Sequence, residues 1–219
     1  MFFRKPFFSQ NFLNISYMLK KELFRKTIHI MSSFVPFFYY IAPQTVLVAL
    51  LFVSILYLAS EVLRQNNINI PLISKVTELA SRTRDNGKIV LGPITLCAGI
   101  FTAFTFFEYR IATIAVFALS FGDGVASLIG KTLQGPKIPF TFGKTFSGSI
   151  GCFLFLTLIY CTCGLRFSQA LMLAFCASLI EIFPTGDYDN LLIPLGVGLI
   201  AQNFIIWFYH LKYVFVHLA

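Results

Sequence analysis

The stretch from Ala118 to Phe153 contains the residues whose types and spacing most clearly suggest chemistry. Asp123 lies in the middle of an apolar run, and a carboxylate at membrane depth costs roughly 2.5–3.5 kcal/mol, so such residues usually serve a function. Ser127 and Lys131 follow at i+4 and i+8 and share one helical face with Asp123. The acid and the lysines beyond it are interpreted as an anion-binding site. The alternative is that Asp123 only pairs with a lysine or a polar neighbour and holds helices together.

A loop rich in glycine and hydroxyl groups, FTFGKTFSGS at 140–149, precedes the next apolar run. Lys144 and the backbone N–H groups at the start of the following helix suit an anion. Thr145, Ser147 and Ser149 supply hydroxyls in the same loop. The spacing differs from GxxxxGK[ST], so a P-loop fold is not predicted. By itself the segment also fits a loop that caps a helix.

Acidic residues cluster near the end of a later apolar run, at Glu181, Asp187 and Asp189, with Asn190 beside them. Their hard oxygen donors suit Mg²⁺, so this cluster is a predicted metal site. A solvated acidic turn is the alternative. That alternative is weakened because the chain has only nine acidic residues, and four of them lie in or beside these two helices.

Two further groups of charged residues lie near the ends of the first two apolar runs. Arg25 and His29 are spaced i, i+4 where the first run begins, and we expect them to approach a phosphate or a lipid headgroup. Arg25 and Lys26 taken alone are interpreted as a basic anchor at the membrane surface. Glu61 is expected to pair with Arg64 at i+3.

The composition predicts an all-α, polytopic integral membrane protein. The chain has 219 residues, of which 57% are hydrophobic and 12% charged, and a soluble domain has about twice that charged fraction. The net charge of +8 fits an anionic leaflet and a phosphate-bearing substrate better than nucleic acid. The five cysteines lack metal-site or redox spacing and are interpreted as packing residues.

The predicted organisation is a basic amphipathic segment at 1–26, followed by a single transmembrane catalytic domain at 27–219. About seven apolar runs approach the length that crosses ~30 Å of hydrocarbon: 27–42, 45–63, 91–107, 111–130, 147–163, 168–183 and 191–209. With the N-terminus cytoplasmic, fourteen of the 17 Lys and Arg residues face the cytoplasm, as the positive-inside rule requires. Every polar motif then lies on the cytoplasmic side.

Four ordered motifs resemble those of the CTP-dependent lipid alcohol kinases, which comprise dolichol kinase, phytol kinase and the yeast-type diacylglycerol kinase and are related to phosphatidate cytidylyltransferase. The matching stretches are FRKTIH at 24–29, FGDGVASLIGK at 121–131, GKTFSGSIGCF at 143–153 and EIFPTGDYDNLLIPL at 181–195. The details look closest to the phytol and polyprenol kinase branch. The resemblance implies transfer of a phosphoryl group from CTP, or another nucleoside triphosphate, to a lipid hydroxyl with Mg²⁺.

The resemblance also implies roles for individual residues. The expected catalytic residues are Asp123, Lys144 and Asp189. The expected contacts to substrate or nucleotide are Arg25, His29, Ser127, Lys131, Thr145, Ser147, Ser149 and Asn190. The expected metal ligands are Asp123, Glu181, Asp187 and Asp189. The partners are then a nucleoside triphosphate, a lipid alcohol and membrane lipids, and a homodimer is left open.

Two other functions fit parts of the sequence. A phosphatidate cytidylyltransferase would make a CDP-lipid, but the long signature of that enzyme is absent. A transporter or channel would use Asp123 and Glu181 as ion ligands, yet no inverted repeat is visible and the polar motifs gather at one membrane face. The expected location is the bacterial inner membrane or an equivalent membrane, with the active site on the cytoplasmic face.

Overall fold

The computed structural model describes residues 20–81, 85, 87–133, 135–141, 143–183 and 186–217, and side chains as far as Phe204 except that of Leu72. Residues 1–19, most of the predicted basic N-terminal segment, lie outside the described residues. The described part is all-helical apart from one bridge between Lys137 and Thr145. The helices are α1 (20–31), α2 (Val35–Ile41), α3 (Pro43–Gln65), α4 (Pro71–Ala80), α5 (Gly92–Phe106), α6 (Tyr109–Phe117), α7 (Gly124–Leu133), α8 (Phe146–Thr162), α9 (Phe167–Ile182) and α10 (Asp189–His217).

Proline begins several of these helices. Pro36, Pro43, Pro71 and Pro93 occupy the first or second position of α2, α3, α4 and α5. Proline suits this turn because the N–H that it lacks would have no partner within the helix. The apolar runs therefore begin as helices close to where the sequence predicts them.

The apolar core lies among α5, α6, α8, α9 and α10. Helix α10 packs against α5, α6 and α9, and α8 packs against α7 and α9. Ala103, Leu119, Leu156, Tyr160 and Val197 are fully enclosed at the centre of this packing. The segment between α6 and α7 therefore runs through the middle of the helix assembly, where α8, α9 and α10 also contact it.

Within the part of the chain that the structure describes, two helices are long and apolar enough to cross a membrane: α3, and the continuous helix Tyr109–Leu133 that contains α6 and α7. Three shorter apolar helices, α5, α8 and α9, have 15 to 17 residues, or about 23–26 Å of helix. Most of α3 faces outward and exposes apolar side chains such as Val48, Phe52 and Ile55. The helices coincide with six of the predicted spans within a few residues, except that α10 extends further towards the C-terminus.

The first predicted span, 27–42, is not one helix. It is divided between α1 and α2 by a 3-10 turn at Ser32–Phe34. The hydroxyl of Ser32 accounts for part of this break, because it donates to the carbonyl of His29 at 2.6 Å and also contacts Ser120.

Replacing Gly99 by alanine should destabilise the packing of α5 against α10. A Cβ atom at Gly99 would run into the backbone carbonyl of Asn190, which cannot move aside without shifting α10. We expect a loss of about 1–3 kcal/mol in the free energy of unfolding, as for other overpacked sites. Thermal unfolding in detergent measures this loss. Gly92→Ala in the same helix is the control, because nothing lies within 4 Å of a Cβ there, and equal stability of the two variants would contradict the prediction.

Candidate active site

Asp123 lies in a buried cluster of charged residues between α1 and the helix Tyr109–Leu133. Lys26 donates a hydrogen bond to Asp123 Oδ2, and His29 Nδ1 lies 3.5 Å from the same oxygen. Lys26, His29 and Asp123 are only 1%, 5% and 6% exposed. A buried carboxylate is stable when a cation neutralises it, and here both the Lys26 ammonium and the neighbouring His29 imidazole come from α1. We call these three residues the α1 charge cluster.

The local backbone of both helices brings this cluster together. The helix containing Asp123 widens into a π-helical turn over Ala118–Asp123, a feature that is frequent at functional sites. Gly124 follows, and a Cβ there would lie 3.1 Å from Cγ1 of Ile30, so glycine permits the close approach of α1. Ser32 and Ser120 join the same two segments through hydroxyls 2.6 Å apart. The docking of α1 therefore positions Lys26 and His29 on Asp123.

A second layer of charges lies around Glu22. Its Oε2 atom is 2.7 Å from Arg25 Nη2 and 3.2 Å from Lys131 Nζ, so Glu22 bridges α1 and α7. Partial burial alone would raise the pKa of Glu22, but Arg25, Lys26 and Lys131 outweigh burial and hold that pKa below its usual value. Lys131, half-exposed, thus pairs with Glu22 rather than with Asp123. Ser127 lies on α7 one turn from Asp123.

The glycine-rich loop forms a separate ion pair. Lys144 Nζ lies 2.9 Å from Glu181 Oε1 on α9, and Glu181 is 4% exposed. Thr145 caps α8, because its Oγ1 accepts the N–H of Gly148 at 3.1 Å and also contacts the hydroxyl of Ser147. Ser149 Oγ is buried without a hydrogen-bond partner among the described residues. The loop is therefore a helix cap in this structure, as the simpler interpretation of the sequence proposed, and it also delivers a lysine to a buried acid.

Asn190 and its acidic neighbours occupy the start of α10. The Asn190 side chain donates to the carbonyl of Gly92 at 3.2 Å and to the Thr95 hydroxyl at 3.0 Å, which joins α10 to α5. The carboxylate of Asp189 accepts the Asn190 N–H at 2.9 Å. Asp187 lies on a cleft that Asn190 also lines.

That cleft connects the start of α10 with α1. Arg25, His29, Asp85, Asp187 and Asn190 all line it, and its volume is about 20 Å³. Its apolar wall comes from residues such as Val90 and Leu96. We call this space the inner cleft. His29 connects it with the interior, because the same imidazole lines the cleft and approaches Asp123.

The four predicted metal ligands are divided among different surroundings. Asp123 pairs with Lys26, Glu181 pairs with Lys144, Asp187 lines the inner cleft, and Asp189 accepts the N–H of Asn190 in the first turn of α10. Among the described residues, no group of three or more His, Cys, Asp or Glu side chains could hold a metal ion. These donors do not fit a preassembled metal cage.

Two residues of the site, Lys26 and Glu22, were not among the predicted site residues. The interpretation of Lys26 as a surface anchor is wrong, because Lys26 is buried against Asp123. One signal could have identified both residues: Glu22, Lys26 and His29 are spaced i, i+4 and i+7 and share one face of a helix. The pairing of Glu61 with Arg64 is confirmed, with two hydrogen bonds at 2.8 and 2.9 Å.

Comparison with known proteins places this all-helical chain beside plant lipid kinases. Phytol kinase 1, chloroplastic, of Arabidopsis thaliana is 25% identical over 154 residues, which are 62% of this chain and 51% of the relative. Probable phytol kinase 1, chloroplastic, of Oryza sativa subsp. japonica is 29% identical over 107 residues, 42% of this chain and 34% of the relative. Probable phytol kinase 3, chloroplastic, of Glycine max is 37% identical over 73 residues, 32% of this chain and 23% of the relative.

These likenesses relate the chain to the phytol- and dolichol-kinase-like lipid kinases. The chain spans about half the length of the Arabidopsis protein that it matches, and less of the others. No family model and no solved structure matches it. The relatives are named as chloroplastic plant proteins, which does not support the bacterial inner membrane expected from the sequence.

Replacing either Lys26 or Asp123 alone should destabilise the protein strongly, because it breaks the ion pair between them. Lys26→Met or Asp123→Asn leaves one buried charge without its main partner, and we expect each to lower the free energy of unfolding by about 3–5 kcal/mol. The double variant Lys26→Met/Asp123→Asn removes both charges and should recover much of the loss. Denaturant unfolding of all four proteins gives the coupling energy between the two sites. Additive losses in the double variant would show that the two side chains do not interact.

Proposed function

We propose that the protein is a membrane lipid kinase that transfers the γ-phosphoryl group of a nucleoside triphosphate, with CTP as the first candidate, to a lipid alcohol. The observation that carries the proposal is the position of His29, which lines the inner cleft and also approaches the buried carboxylate of Asp123. The printed names of the relatives support the lipid kinase class. The apolar outer face of α3 supports a membrane location.

The charges of the site suit phosphoryl transfer. Such reactions depend mainly on positioning and on stabilisation of charge on the transferred group. Arg25 lines the inner cleft, and the carboxylate of Glu22 pairs with both Arg25 and Lys131. A guanidinium and an ammonium can bind phosphate oxygens with charge-assisted hydrogen bonds. Arg25 and Lys131 are therefore the proposed phosphate contacts.

His29 is the proposed proton acceptor for the lipid hydroxyl. The hydroxyl oxygen attacks the γ-phosphorus, the bond from that phosphorus to the β,γ-bridging oxygen breaks, and the hydroxyl proton passes to His29. Imidazole suits this role because its usual pKa lies close to neutral pH. Asp123 beside Nδ1 would orient the ring and stabilise its protonated form, and Lys26 would keep the carboxylate ionised. Asp123 then acts through His29 and is a positioning residue.

The wider setting of the reaction is also proposed. We infer about seven membrane spans with a cytoplasmic N-terminus, based on the distribution of Lys and Arg along the chain. The lipid alcohol would approach from the bilayer along exposed apolar residues such as Phe34, Phe37 and Phe38. An isoprenoid alcohol is the first candidate, since the relatives are named phytol kinases. Mg²⁺ would enter with the triphosphate, with Asp187 as the nearest proposed carboxylate in the inner cleft.

Label transfer tests the proposed reaction. Purified protein with Mg²⁺ is incubated with CTP labelled at the γ- or the α-phosphate, together with phytol, a polyprenol, diacylglycerol and phosphatidate. We expect label to enter an alcohol only from the γ-phosphate, because a kinase transfers only the terminal phosphoryl group. Thin-layer chromatography of the lipids identifies the acceptor, and ATP and UTP are tested in parallel. Label that enters lipid only from the α-phosphate would instead establish a cytidylyltransferase.

Replacing His29 by glutamine should lower kcat with little change in the KM for nucleotide. A general base typically contributes 10²- to 10⁴-fold to the rate, so a loss of about that size is expected. Glu108→Gln, which removes an exposed acid outside the site, is the control. Near-full activity of His29→Gln would exclude the imidazole as the base.

A further inference from the structure

A polar pocket of about 650 Å³ lies beside the inner cleft, between the end of α3, α4 and the segment that leads to α5. This size is within the ~300–1,000 Å³ of most small-molecule sites. Its walls expose more polar than apolar surface and include Lys21, Asn67, Asn69, Glu78 and Asp85. We call this space the outer pocket. Its polar lining suits a small polar molecule better than the tail of a lipid.

Two asparagines lie in the wall of the outer pocket. Asn67 and Asn69 are exposed there, and the side-chain amide of neither has a hydrogen-bond partner among the residues that the structure describes. Each amide offers a donor and an acceptor side by side. The edges of nucleobases offer the complementary pattern, and paired contacts of asparagine to a base follow from this geometry. The outer pocket therefore has groups suited to a base.

The charges of the outer pocket favour the uncharged part of a nucleotide. Among the described residues of its lining, the acids Glu78 and Asp85 offset Lys21 and Lys75, so these four side chains provide no excess of positive charge for a triphosphate. Carboxylates accept hydrogen bonds from ribose hydroxyls in nucleotide sites. Arg64 is also present, but Glu61 holds its guanidinium through two hydrogen bonds. A base and a ribose fit these walls better than phosphate does.

The outer pocket and the inner cleft meet at Asp85 and Val90, which line both. Lys21, Arg25 and His29 are spaced i, i+4 and i+8 along α1, so they follow one helix face over about 12 Å. Lys21 lines the outer pocket, whereas Arg25 and His29 line the inner cleft. This face of α1 therefore extends from the outer pocket to His29, which lies beside Asp123.

From this arrangement we propose that the outer pocket binds the nucleoside half of the phosphoryl donor, with Asn67 and Asn69 on the base and with the phosphates extending along α1 towards the inner cleft. The inference rests on the proposed kinase function and assigns the donor a direction: base outside and γ-phosphate towards His29. The inner cleft has a volume of only about 20 Å³, so it would have to widen to admit the γ-phosphate. Nucleotide preference is then set by the end of α3, whereas the motif residues around Asp123 act on the phosphates.

The test compares a nucleotide with the same phosphate chain lacking a nucleoside. The variant Asn67→Gly/Asn69→Ala removes both amides, and glycine is used because Asn67 has a left-handed backbone with φ of 63°. Equilibrium binding of labelled CTP to full-length protein in lipid nanodiscs should weaken roughly tenfold or more, the effect of losing one or two hydrogen bonds. Competition by inorganic tripolyphosphate should stay within about twofold of wild type, because tripolyphosphate makes no contact with the amides.

Asn203→Ala is the matched control, since its exposed amide lies on α10 and donates to the Leu199 carbonyl. It should bind both ligands as wild type does. The proposal is overturned if the double variant binds CTP normally, or if CTP and tripolyphosphate weaken equally. If wild type binds CTP and the variant shows the expected loss, but no phosphoryl group is transferred, the nucleoside site stands and the kinase proposal fails. Wild type that binds no nucleotide would overturn both.

Discussion

The ion pair between Lys26 and Asp123 is the interaction on which the arrangement of the site depends. Its two residues are 97 positions apart in the chain and both are buried. Removing a charge from water costs several kcal/mol even in a real protein, and only a close partner offsets that cost. Three features bring α1 close enough to form the pair: the π-helical turn at Ala118–Asp123, the absence of a side chain at Gly124, and the contact between Ser32 and Ser120.

The same rule governs the other buried acids. Glu181 is held by Lys144 from the glycine-rich loop, and Glu61, fully buried on α3, is held by Arg64. Glu61 also accepts the N–H of Val90 at 3.0 Å, while Arg64 donates to the carbonyl of Lys88 at 2.9 Å. These contacts fix the segment that separates the outer pocket from the inner cleft. Cations thus offset each of these buried carboxylates, and the net charge of +8 leaves further cations for an anionic ligand.

The sequence predicted the helices better than it predicted their contacts. Apolar runs place α3, α5, α8 and α9 within two residues at each end, since this signal is local. The pairing of Glu61 with Arg64 is also local, at i+3. The burial of Lys26 could not be predicted from the local sequence, because basic residues at the start of a membrane helix usually remain at the interface.

The partners of the acids depend on tertiary structure in the same way. The sequence predicted that Asp123, Glu181, Asp187 and Asp189 are metal ligands, but spacing in the chain cannot tell which cation each acid meets. A carboxylate cluster without neighbouring cations would bind metal, whereas the same acids beside Lys26 and Lys144 form ion pairs. The π-helical turn also could not be predicted, since the sequence ALSFGD has no pattern that distinguishes it from an ordinary helical turn.

A distance measurement in the membrane tests the central claim most directly. Solid-state NMR on protein labelled with ¹⁵N at the lysine Nζ and ¹³C at the aspartate carboxyl would detect the dipolar coupling between Lys26 and Asp123 in lipid bilayers, assigned by its loss in Lys26→Met. The structure predicts a coupling that corresponds to hydrogen-bond contact, within about 3.2 Å between nitrogen and oxygen. A coupling that is absent, or one that places the two groups well beyond ~4 Å, would show that α1 does not neutralise Asp123 and would contradict the account of the site.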